Sequence, residues 1–136
     1  MTGDSEVNAL GWVITTTDGF VTFTETYLSD IENKLGAGPT EERSEEFLLL
    51  LKELAEFVSD NRLLIQGHMN PLDLPPAVQE NGAPIPNYFV LKTGPWRAFY
   101  RLDYVAKVGV GVIVLHDDNK LQDTLAELLQ DASRKV

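Results

Sequence analysis

Arg97, Phe99 and Arg101 fall on alternate positions of an extended run, Trp96–Tyr104, so alternation puts all three on one face of a strand. Guanidinium groups at i and i+4 on a strand lie roughly 13 Å apart at about 3.3 Å per residue. That reach matches about two phosphates of a single nucleic-acid strand, and a ring between the two cations is a surface on which a base can stack. The same row also reads as a solvated sheet face with cross-strand partners such as Asp103. A second group, His116-Asp117-Asp118-Asn119-Lys120, places an imidazole, carboxylates and an ammonium within five residues. Together they can supply a general base, a group that orients it and a phosphate partner. Asp and Asn are equally what the start of a helix needs as caps. His68, in a proline-rich stretch, reads as an ordinary surface histidine.

Several chemistries are excluded early. The chain has no cysteine, which rules out disulfides, thiolate nucleophiles and thiolate metal sites. With two histidines a closed zinc site is not expected, and no cofactor or metal is called for. Gly109 and Gly111 lie inside an apolar run and form no phosphate-binding loop; their expected role is close packing or a bulge. No serine stands between glycines in the pattern of a nucleophile elbow.

Charge divides the chain. Of 136 residues, the first 60 hold 13 acids and three bases, while residues 61–136 hold eight of each. The net charge of −10 therefore belongs to the first part, and the neutral remainder can still present arginines to an anion. A hydrophobic content of 43% suits one domain with its own core. No run reaches the roughly 18 to 20 apolar residues of a membrane span, and the first residues carry acids where a secretory signal carries lysines. A soluble, cytoplasmic protein is the expectation.

These candidates need elements to position them. Residues 1–10 read as a mobile lead-in and 11–136 as a single domain. A strand is expected over Gly11–Thr16, then a helix capped by Asp18 with Phe20, Phe23, Tyr27, Ile31 and Leu35 as its stripe and Gly36 as its end. A second helix opens near Gly38-Pro39-Thr40, with Thr40 or Ser44 as cap, and runs to about Asn61. Its apolar sector, including Phe47, Leu51 and Leu54, is wider than one core contact needs, so it is either buried internally or docks a partner. Asn61–Pro86, with five of the seven prolines, reads as an irregular loop with a short extended piece at Leu63–Gln66. Three strands follow, Tyr88–Lys92, Trp96–Tyr104 and Val108–His116, as an antiparallel meander. A last helix, capped by Asn119, carries the stripe Leu121, Leu125, Leu128 and Ala132, with Arg134 and Lys135 at its end. The fold class is α+β, with helices against one face of an antiparallel sheet.

In this order the segments YFVLKTGPWRAFYRLDY, VGVIVLH, DDNK and LQDTLAELLQDASRK resemble the RelE/ParE/HigB superfamily of bacterial toxin–antitoxin toxins, across about Gly11–Lys135. The resemblance implies a RelE-like fold, a cognate antitoxin protein as partner and cleavage of mRNA on the ribosome. Arg97 falls on the arginine of the family's aromatic-Arg motif. On this reading Arg97, His116 and Lys120 are the catalytic group, with Arg101 and Phe99 on the RNA. Tyr88 and Val90 stand where RelE-type members carry lysines, and the last helix has no tyrosine. The alternative is therefore a catalytically silent protein of this fold, ParE-like or phage-borne, that grips a host protein through its acidic helices, with Phe47, Leu51 and Leu54 at the contact.

Overall fold

The alternating run that starts at Trp96 becomes the middle strand of a five-stranded sheet in the computed structural model, which describes residues 7–20, 26, 29, 45–116 and 120–134, without the side chains of residues 45–47, 50 and 134. The elements are β1 (Val13–Thr16), α1 (Glu45–Gln66), a 3-10 turn (Pro71–Asp73), β2 (Pro76–Val78), β3 (Pro84–Thr93), β4 (Trp96–Asp103), β5 (Val108–Leu115) and α2 (Leu121–Arg134). In space the strands run β1-β5-β4-β3-β2. The last four pair antiparallel, whereas β1 lies parallel to β5, so this α+β sheet is mixed and not purely antiparallel.

Both faces of the sheet are covered. Even-numbered residues of β4, Trp96, Ala98, Tyr100 and Leu102, are buried with Trp12, Ile14 and Phe20 and with Phe57 and Leu64 of α1. The odd-numbered face packs Phe99 with Tyr88, Ile85 and Leu115 beneath Leu125, Leu128 and Ala132 of α2. The expected stripe of the last helix is thus its buried side. The two helices do not share a face, because both sets of alternating residues in β4 and β5 contain apolar side chains that must leave water. β4 and β5 are in register from Asp103↔Val108 to Arg97↔Leu115, with a shift at Phe99/Tyr100. On β5 the α1 side is lined by Gly109 and Gly111, where a Cβ would meet Leu102 Cδ2 at 2.8 Å and the Phe20 ring at 2.8 Å. Close packing, the role expected for these glycines, is what they provide.

Several ends differ from the sequence reading. The first helix is capped by Thr17, whose Oγ1 accepts from Phe20 N at 3.2 Å, and not by Asp18. Residues 18–20, 26 and 29 are helical; Phe23, Tyr27, Ile31, Leu35 and Gly36, like Thr40 and Ser44, lie outside the described residues. Leu63–Gln66 is the last turn of α1, not an extended piece, since Leu64 continues the buried side of Phe57. α1 stops at Gly67, whose φ of 87° closes a Schellman turn: Gly67 N donates to Leu64 O at 3.2 Å and His68 N to Leu63 O at 2.8 Å. Within the expected lead-in, Asn8 is anchored to the end of α1. Asn8 Nδ2 donates to Ile65 O at 3.2 Å, while Asn8 Oδ1 accepts from Leu10 N at 2.9 Å and Trp12 N at 3.0 Å. The proline-rich stretch is not an irregular loop throughout, because β2 adds an edge strand to the three-stranded meander of β3, β4 and β5. Pro76 and Pro84 sit in its outermost ladder, where a missing amide is tolerated.

Candidate functional site

The arginine row is where alternation placed it, on one face of β4, but its ring is not at the surface. Phe99 is 1% exposed beneath α2, so the stacking surface expected there for a base is inside the core. The apolar register partners Val90 and Ile113 on its two sides explain this, since a ring flanked by such neighbours is covered by the apolar side of α2. Arg97, half-buried, has Lys92 and Leu115 as its register partners. Two strand positions beyond Phe99, Arg101 faces Tyr88 and Val110 across the ladder.

His116 goes the other way. Its ring meets Trp96 edge-on at 5.1 Å, and Trp96 in turn stacks on Phe57 of α1 at 4.9 Å. Arg97 shares the α2 side with Leu115, whereas His116, the next residue, rests on the α1 side. Lys120 is exposed just ahead of α2, and Asp117, Asp118 and Asn119 lie outside the described residues. Arg97 thus leaves β4 on the α2 side, while the His116 ring lies against Trp96 on the α1 side. His68 is exposed, as expected.

The partner-docking leucines divide as well. Leu54 packs against the α1-side core, which is the internal reading of that position. Leu51 is half-buried, and the side chain of Phe47 lies outside the described residues. Beside them Leu48 and Leu49 are 51% and 56% exposed.

One polar cluster escaped the sequence reading. The Tyr88 hydroxyl donates to Asp131 Oδ2, and Arg101 Nη1 stands 3.6 Å from the same oxygen. Burial raises the Tyr88 phenol above its ordinary 10.0, the hydrogen bond to Asp131 adds to the rise, and Arg101 opposes it. The phenol accordingly stays protonated and pins α2 to β3. The signal in the sequence is the spacing of Asp123, Glu127 and Asp131, one carboxylate per turn on the same side of α2. Arg101 is also a shared wall of two hollows. One, of about 630 Å³, extends to the β4–β5 turn over Asn87, Asp103, Val108 and Val110. The other, of about 470 Å³, runs under the flank of α2 past Val112, Ile113, Glu127 and Asp131.

Among the described residues no three His, Asp or Glu side chains converge to hold a metal ion, and no helix is long and apolar enough to cross a membrane. Comparison with protein-family models, with curated proteins and with solved structures finds no match for this chain.

Proposed function

We propose that this chain is a binding protein: a catalytically silent relative of the RelE-like toxins that engages a protein partner, a host protein or an antitoxin, in the cytoplasm. The observation that supports this reading is that Arg97 pairs with Leu115 on the α2 side while the His116 ring rests on Trp96 of the α1 side. Cleavage of RNA by its own 2′-OH needs an acid or base and a phosphate-binding cation within hydrogen-bond reach of neighbouring atoms. An arginine rooted on one face and an imidazole packed on the other are a poor match to that requirement. The net charge of −10 on residues 1–60 gives that part of the chain a surface suited to a protein partner and not to a polyphosphate. The exposed Leu48 and Leu49 offer apolar contact area beside the expected Leu51.

The second reading is the ribosome-dependent mRNA endonuclease, with Arg97, His116 and Lys120 as its working group and Arg101 as an added phosphate contact. What favours it is the direct register pairing of Lys92 with Arg97, two cations side by side on one face. Induction in a bacterial host, with growth and mRNA integrity followed together, separates the two. The binding reading expects intact mRNA and a recovered protein partner whose capture is the same for wild type and for Arg97→Ala/His116→Ala. Fragmented mRNA that the double substitution restores overturns it.

A further inference from the structure

Two neighbouring hollows share Arg101 as a wall on the α2 side of the sheet, one beside α2 and one with no α2 residue in its lining, and together we treat them as one trough. Its floor is apolar and extended: Val108 and Val110 of β5 lie in one hollow, Val112 and Ile113 in the other. Its walls are polar, and the charged side chains that line it are Arg101, Asp103, Glu127 and Asp131, a sum of −2. Arg101 is partly balanced by Asp131 at 3.6 Å, which leaves Asp103 near one end and Glu127 near the other to set the sign.

From this we infer that the trough is a docking site for an extended basic segment of a partner protein, one that alternates Lys or Arg with aliphatic residues. The inference rests on the protein-binding reading and gives that partner a chemistry. Volume argues for a chain segment over a single ion, since about 630 and 470 Å³ on either side of one arginine exceed the needs of a metal or a small amine. Pattern argues for an extended strand: aliphatic side chains of the guest meet the valine floor while its alternate cations reach the two carboxylates. Sign argues against an acidic guest, which would meet two net negative charges at close range.

A fluorescein-labelled peptide of sequence Lys-Val-Arg-Leu-Lys-Val-Arg tests this, read by anisotropy against the full chain. Its control replaces each cation by Glu. Because the first 60 residues are acidic, a basic peptide can also adhere there, so two variants that remove equal charge are compared. Asp103→Asn/Glu127→Gln alters the trough, and the side-chain amide it introduces at position 103 keeps an oxygen for the Val105 and Ala106 amides, which now donate to Asp103 Oδ1 at 3.0 Å. Glu53→Gln/Glu56→Gln alters α1 instead. The expected result is binding of the basic peptide only, weakened about tenfold by the trough variant and less than about twofold by the α1 variant. Equal weakening by both, or by neither, overturns the inference. If a cellular partner is captured equally well by wild type and by the trough variant, the trough inference fails while the binding reading stands; if no partner is captured at all, the binding reading itself fails.

Discussion

Tyr100 donates its hydroxyl to Asn61 Oδ1 at 2.5 Å, tying the middle strand of the sheet to α1 through two side chains that are both shielded from water. Asn61 Nδ2 in turn donates to Phe57 O at 2.8 Å within the helix. Tyr100→Phe leaves the amide oxygen buried without this donor, and is expected to cost about 1–3 kcal/mol. Urea unfolding of the two proteins measures it, and an unchanged midpoint would show that the bond contributes nothing.

The same residue sets a pH dependence. Burial pushes the Tyr100 phenol above its ordinary 10.0, and Tyr88 is raised as well. In the unfolded chain these phenols ionise near 10, whereas the folded protein holds their protons to higher pH. Their contribution is therefore complete below about pH 10 and is lost as pH rises beyond it. Thermal melts from about pH 8 to 11 are expected to fall at the alkaline end, and Tyr100→Phe should flatten that fall.

Phe99→Ala distinguishes a core ring from a stacking ring. With Phe99 buried under Leu125 and Leu128, the substitution is expected to cost about 3–5 kcal/mol of stability. A variant as stable as wild type by denaturant titration would contradict this placement.

At Gly111 a Cβ would stand 2.8 Å from the Phe20 ring and 3.0 Å from the Tyr100 ring. Gly111→Ala is expected to destabilise by about 1–3 kcal/mol through overpacking, again read by denaturant titration. Gly19, with open space around it, is the control at which Ala should be tolerated.

Gly67→Ala combines a left-handed φ of 87° with a Cβ only 2.7 Å from Ala9 N, so backbone must move. A loss of about 1–2 kcal/mol from the φ alone is expected. Asn8→Ala, which releases the same junction from the other side, should cost about 1 kcal/mol or more. Because the two sites share partners, a double-mutant cycle is expected to give a sum that is not additive.

Much of this architecture was legible because period-two alternation in Trp96–Asp103 and the three- and four-residue spacing of Leu121, Leu125, Leu128 and Ala132 depend only on local sequence. β2 was not, since Pro76-Ala77-Val78 carries no strand signal and is extended only because β3 lies beside it. The anchoring of Asn8 was invisible for the same reason: its partners are carbonyls of Leu64 and Ile65, 56 and 57 positions away. For the site, alternation correctly grouped Arg97, Phe99 and Arg101, but it cannot say whether a second helix covers that face. Nor can the order of segments say on which side His116 lies, because one step along an extended chain from Leu115, the register partner of Arg97, is enough to turn a side chain to the other face.

The parallel pairing of β1 with β5 has a consequence for the order of events during synthesis. Val13 takes Val108 as its neighbour, and the Thr17 hydroxyl reaches the carbonyl of Val112 across 95 positions. The hairpins of β2 to β5 need only short loops to close, but β1 leaves the ribosome long before its partner exists. Trp12 and Ile14 can complete their packing only once β5 has been made, so the contact that completes the sheet closes the largest loop and is expected to form late in folding.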